Sequence, residues 1–212
     1  MAQSPRRIVL TGGIASGKSL VGDYLIQKGI PVIDADLVVH QLLREDEALK
    51  VKIRAEFGPE VFTPEGEVDR PKLGQLVFAD TARRKLLESW IHPKTREIIE
   101  QFYIQNAQAT VAVSIIPLLF ESQLENLYDE VWLLETDEEI QLARLTEKRG
   151  MSREDALARI RNQMPFEEKL TRSQTHPCHV LFINNTELDN LYRQIEKRLV
   201  KANSLKQICD SI

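Results

Sequence analysis

Gly12-Gly13-Ile14-Ala15-Ser16-Gly17-Lys18-Ser19 fits the pattern GxxxxGK[ST] at every required position, and each residue type in it has a chemical reason. Glycines let backbone N–H groups turn inward around phosphate oxygens, and the helix that follows adds the positive end of its dipole. Lys18 reaches the β- and γ-phosphates, and the Ser19 hydroxyl ligates Mg²⁺. The segment follows Arg7-Ile8-Val9-Leu10-Thr11, an apolar run of strand character, and precedes Lys18 to Lys28, which has helical composition and ends at Gly29. That strand-loop-helix setting separates a phosphate-binding loop from a glycine-rich turn with an incidental lysine. Gly13, Ile14, Ala15, Ser16, Gly17, Lys18, Ser19 and Leu20 are therefore the expected nucleotide contacts.

A phosphate loop alone does not say what becomes of the phosphate. A switch GTPase needs an NKxD-type strand and a DxxG turn, and neither is present. Instead Asp34 and Asp36 close the second apolar run, and strand alternation sends both to one side. One carboxylate can accept the proton of an attacking hydroxyl while the other helps orient the metal and its waters, which is what phosphoryl transfer to an alcohol requires. Asp36 is the candidate general base and Asp34, with Ser19, the candidate metal residue. The competing role for either aspartate is to cap the helix expected from near Leu37. Farther along, residues 144–172 carry eight basic and five acidic side chains, a local +3 within a chain of net charge −4. A basic segment of this kind suits a lid over a triphosphate, where guanidinium groups neutralise the transferred phosphoryl and exclude water. Arg144 is the lid residue with the candidate catalytic role; for most of the others a solvated helix face is the default.

These residues must be positioned by something. Short apolar runs at Arg7–Thr11, Pro31–Asp34, Thr110–Ile116, Glu130–Leu134 and His179–Ile183, separated by helical segments, predict an α/β fold: a P-loop NTPase-type three-layer αβα core with a five-stranded parallel sheet. Residues 37–109 hold helical segments and no convincing strand, and are read as a helical insertion on the substrate side. The single domain thus divides into a core (1–36, 110–143, 173–212), the insertion (37–109) and a helical lid (144–172). Thr136 with Glu139, and Ser152 with Asp155, read as capping boxes. An acidic pI near 5.7 gives no case for nucleic-acid binding. Cys178 and Cys209 read as reduced thiols, and with neither a signal-peptide core nor a membrane span the expectation is a cytoplasmic protein.

Taken in order, Thr11-Gly12-Gly13-Ile14 with the loop, Ile33-Asp34-Ala35-Asp36, Val68-Asp69-Arg70, His92-Pro93, Pro117-Leu118-Leu119-Phe120-Glu121, Arg144-Leu145, Arg159-Ile160 with Gln163, and Lys169 resemble the dephospho-CoA kinase family. The resemblance implies ATP-dependent phosphorylation of the ribose 3′-hydroxyl of dephospho-CoA, the last step of coenzyme A synthesis, with ATP and Mg²⁺ required and no obligate protein partner. It implies Asp36 as base, Lys18 and Arg144 as phosphate clamps, and Thr11, Asp36, Arg70, His92 and Leu119 at the acceptor. Without it His92 reads as a helix-start histidine of no assigned role, and Leu118 and Phe120 as core. The sequence departs from the family at three places: Leu20 stands for a threonine, Lys148-Arg149-Gly150 leaves the second lid cation open between two residues, and Asn184-Asn185-Thr186-Glu187 replaces DNxG, with Asn185 the expected base-side contact. A kinase for a nucleoside, nucleoside monophosphate or small sugar is the first alternative. A regulatory module that uses ATP to switch partners is the second.

Overall fold

The computed structural model describes residues 4–184 and 188–209, the last nine by backbone alone. They divide into two compact units, Met1–Ile33 with Tyr103–Ile212, and Asp34–Phe102.

The first unit is built on a five-stranded sheet: β1 (Arg6–Gly12), β2 (Val32–Asp34), β3 (Val111–Ile115), β4 (Glu130–Glu135) and β5 (His179–Ile183), in the order β2-β3-β1-β4-β5. The pairings are parallel, with Leu10 opposite Ile115 on one side and Trp132 on the other, and Val131 to Glu135 beside His179 to Ile183. Strands of a parallel sheet are covered on both faces, which is why they read as unbroken apolar runs. Accordingly Ile8, Val9, Leu10, Ala112, Val113, Val131 and Leu134 have no exposed surface. Val21 and Leu25 of α1 (Lys18–Gln27) and Leu191 and Ile195 of α9 (Leu188–Cys209) pack on this sheet. The sequence pattern predicts a last helix from about Glu187 to Val200; the helix continues to Cys209.

One polar cluster lies within this core. Glu130, without exposed surface, accepts from Trp132 Nε1 at 2.5 Å and Arg198 Nε at 2.6 Å and pairs with Arg6 at 3.0 Å. Burial pushes its carboxyl up, but the Arg198 and Trp132 hydrogen bonds and the two guanidinium charges outweigh that and hold it below the usual carboxylate range.

Between β4 and β5 come α6 (Glu138–Ala143), a π-helical turn at Arg144–Lys148, α7 (Arg153–Arg161) and α8 (Phe166–Thr175). Ser152 caps α7 by accepting from Asp155 N, as its capping box predicts. Thr136 does not cap α6: the N-cap is Asp137, whose side chain makes no capping hydrogen bond to the helix. The Thr136 hydroxyl points back to the Ser16 carbonyl at 3.1 Å instead.

The second unit is helical: α2 (Ala35–Glu45), α3 (Glu47–Phe57), α4 (Arg70–Ala79) and α5, which runs Thr81–Gln105 into the first unit. Asp46 and Asp69 cap α3 and α4. Lys94 on α5 binds Asp46 at 2.5 Å, and Trp90 sets its ring edge-on to Phe57. His92 is not at a helix start. It lies in the middle of α5, because the buried stripe Leu87, Ile91, Thr95, Ile99 keeps i, i+4 spacing straight across Pro93. Pro93 removes one backbone donor, and the helix carries that single lost hydrogen bond.

Candidate active site

The phosphate loop lies where β1, the central strand, gives way to α1. Parallel α/β sheets bind ligands beyond the carboxyl ends of their strands, where the strand order reverses, and β1 has β3 on one side and β4 on the other. Three loop residues have positive φ: Gly12 at 151°, Ala15 at 56° and Gly17 at 101°. Glycine is required at two of them by contact as well as conformation. A Cβ on Gly12 would lie 2.5 Å from the Leu134 carbonyl oxygen, and one on Gly17 would lie 2.4 Å from Asn184 Nδ2. Gly17 is also the N-cap of α1 and has no side chain to occupy its first-turn N–H groups, so these remain for an anion.

The loop is held from outside by three groups. Asn184 Nδ2 donates to the Ser16 carbonyl at 2.6 Å, Arg144 Nη1 donates to the Ala15 carbonyl at 3.0 Å, and the Thr136 hydroxyl lies 3.1 Å from the Ser16 oxygen and 2.7 Å from Glu135 O. Arg144 also reaches Asn184 O at 3.3 Å, and burial lowers the proton affinity of its guanidinium without removing the charge. It sits at the first residue of the π-helical turn, a distortion that recurs at functional sites. Sequence reasoning assigned Arg144 to the lid and gave Asn184 and Thr136 no part in the loop. Their only sequence signal is a polar residue placed directly after β4 or β5.

Inside the loop, Lys18 Nζ donates to the Gly12 and Gly13 carbonyls at 3.0 and 2.7 Å. Ile14 N donates to Gln163 Oε1 at 2.7 Å. Ser19 and Leu20, on the first turn of α1, are exposed. Thr11 is fully buried and its hydroxyl faces the Pro117 carbonyl at 3.4 Å. Leu119 and Phe120 have no exposed surface, but Leu118 is 49% exposed and is not core. The turn after β3 rotates its side chain outward. Asn185 lies outside the described residues. Lys148 and Arg149 are both exposed.

In the helical unit, the two aspartates do not share a strand. β2 ends at Asp34, whose Oδ1 accepts from Asp36 N at 2.9 Å and Leu37 N at 3.4 Å and so caps α2. Asp36 is the second residue of that helix and exposed. The same-side alternation expected of a strand therefore does not apply: the cap turns the chain helical one residue before Asp36. Arg70, the first residue of α4, lines a 550 Å³ hollow with Leu37, His40, Gln41, Arg44 and Glu67. His92 is exposed on α5.

Mg²⁺ takes hard oxygen ligands and keeps several waters. The Ser19 hydroxyl, on an exposed residue, and the Asp34 carboxylate are each donors of that kind.

A parallel αβα core whose central strand delivers an intact phosphate loop to a helix N-terminus defines a nucleotide-binding protein of the P-loop NTPase fold. The family model described as dephospho-CoA kinase matches residues 6–190. The dephospho-CoA kinase of Shouchella clausii is 41% identical over 199 residues, 92% of this chain and 98% of that one. Among solved structures, one from Thermus thermophilus superposes with a TM-score of 0.79 at 34% identity, covering 93% and 97% of the two chains. The dephospho-CoA kinase from Campylobacter jejuni does so with 0.66 at 30%, covering 93% and 98%. The chain belongs to the dephospho-CoA kinase family.

Proposed function

We propose that the protein transfers the γ-phosphoryl of ATP to the ribose 3′-hydroxyl of dephospho-CoA, giving ADP and coenzyme A. The observation that carries this reading is the intact phosphate loop, in its strand-loop-helix setting, within a chain that the family matches from residue 6 to 190.

Asp36, exposed at the second residue of α2, accepts the proton of the attacking hydroxyl. Lys18 leaves the Gly12 and Gly13 carbonyls for the β- and γ-phosphates. Its present hydrogen bonds hold the ammonium inside the loop, so the move is short. Arg144 fixes the loop through Ala15 and adds positive charge where negative charge develops. Gly13 to Leu20, with Asn185, bind the nucleotide, and Thr11, Arg70, His92 and Leu119 belong to the acceptor side. Ser19 and Asp34 would hold Mg²⁺, which neutralises and orients the phosphates when bound. In this reading 1–36, 110–143 and 173–212 form the catalytic core, 37–109 serves the acceptor and 144–172 is the lid. Among the described residues no helix is long and apolar enough to cross a membrane, in keeping with a cytoplasmic enzyme acting on small molecules.

The test is ADP release from Mg-ATP with and without dephospho-CoA, using adenosine, AMP and gluconate as rival acceptors. Strong stimulation by dephospho-CoA alone is expected. Stimulation by another acceptor keeps the kinase and removes this substrate, and no stimulation by any removes the kinase reading.

A further inference from the structure

One backbone N–H of the phosphate loop is already taken by a side-chain oxygen. Loops of this kind bind anions because consecutive backbone N–H groups point into one concavity. Within this loop, Ile14 N–H donates to Gln163 Oε1 at 2.7 Å. That distance lies at the short end of the N–H···O range, and an N–H gives a strong hydrogen bond to one acceptor at a time. A carboxamide oxygen and a phosphate oxygen therefore exclude each other there.

Gln163 comes from the short connection between α7 and α8 (Asn162 to Pro165), which is tied at its next residue too. Met164 N donates to Glu121 Oε1 at 3.1 Å. The same oxygen faces the buried Lys169 Nζ at 3.2 Å, close enough to pair but without hydrogen-bond alignment. Gln163 and Met164 thus fasten the lid connection to two loops, one after β1 and one after β3. There is also room for the carboxamide to leave: Gln163 borders a 360 Å³ cavity with Gly13, Thr136, Gln141, Met164 and Lys169.

We propose that Gln163 is a built-in competitor for the phosphate loop: its side-chain oxygen holds the Ile14 N–H in the free protein and is displaced by a phosphate oxygen of ATP. Arrival of nucleotide then loosens the α7–α8 connection at one of its two fastenings. This rests on the proposed function only in that the loop binds nucleotide; the acceptor plays no part.

The sign of the mutational effect decides the matter. A side chain that contacts ATP weakens binding when removed, whereas a competitor strengthens it. The dissociation constant of the β,γ-imido analogue of ATP with Mg²⁺ is measured by calorimetry on the full chain without acceptor. For Q163L it should fall roughly two- to tenfold, the worth of one net hydrogen bond no longer surrendered. Q163E keeps the acceptor atom but sets a negative charge against the triphosphate, so its constant should rise by about tenfold or more. Q163N withdraws the carboxamide by one methylene and should behave like Q163L if the leucine protein does not fold. A constant for Q163L, or for Q163N in its place, equal to or larger than wild type overturns the inference. Failure of the wild type itself to bind the analogue would instead remove the nucleotide reading.

Discussion

At the residue scale the proposed chemistry rests on few groups, and Asp36, the proposed general base, is the one to test first. Asp34 is engaged by the α2 cap through Oδ1, so replacing it alters local structure along with any metal contact. Asp36 is exposed on the first turn of the same helix and replaceable without disturbing the cap. Asp36→Asn should leave ATP affinity within about twofold and cut kcat by about a hundredfold or more, the usual worth of a general base. Single-turnover kinetics with ATP and dephospho-CoA reads the chemical step directly, and near-normal turnover would remove the role. What the sequence disclosed at this scale was chemistry tied to a fixed local pattern. Lys18, Ser19 and the glycines were legible because the loop is a contiguous motif. Asn184, Thr136 and Gln163 were not, because each acts on the loop from 120 to 168 residues away in sequence, and nothing in a local pattern reports a long-range contact.

The same division holds for elements. The strands were legible because burial on both faces demands continuous apolar runs, and Ile8–Leu10 and Val131–Leu134 supply them. Helix starts were less so. Ser152 caps as its capping box predicts, whereas Thr136, with the same spacing to an acid, turns its hydroxyl to carbonyl oxygens, Glu135 O at 2.7 Å and Ser16 O of the phosphate loop at 3.1 Å. His92 shows the converse, since a proline that reads locally as a helix start is carried inside α5 by a buried stripe. The loop-helix element itself makes a sharp prediction through Gly17. Its φ of 101° and the 2.4 Å approach of Asn184 to a built Cβ mean that alanine must shift the loop, the asparagine or both. Gly17→Ala should lower unfolding free energy by about 1–3 kcal/mol and weaken ATP binding at least tenfold, because the displaced N–H groups no longer converge. Retained affinity together with reduced stability would show that the glycine serves packing alone.

At the scale of the whole molecule, one buried carboxylate links distant parts of the chain. Glu130 at the start of β4 receives Arg6 from the first strand and Arg198 from the last helix, so breaking it is felt in global unfolding and not in the loop. Its carboxyl is held below the ordinary range in the fold, while the unfolded chain gives it a value of about 4.3. A carboxylate depressed in this way stabilises the fold fully above the unfolded value, and the contribution is lost as pH falls through the folded one. Glu130→Gln removes the charge and leaves two guanidinium groups facing a neutral amide. Because Arg6 is 27% exposed at its side chain and water shares its charge, the loss should sit near the low end for a broken buried pair, about 2–3 kcal/mol at pH 7. Urea unfolding of both proteins from pH 7 down to about 3 checks the sign as well as the size. The gap should be constant near neutrality and close below pH 4 or so, as the wild-type carboxylate takes up its proton and comes to resemble the glutamine. A gap that persists unchanged into acid would mean that Glu130 holds these strands together by shape and hydrogen bonding, with its charge contributing nothing.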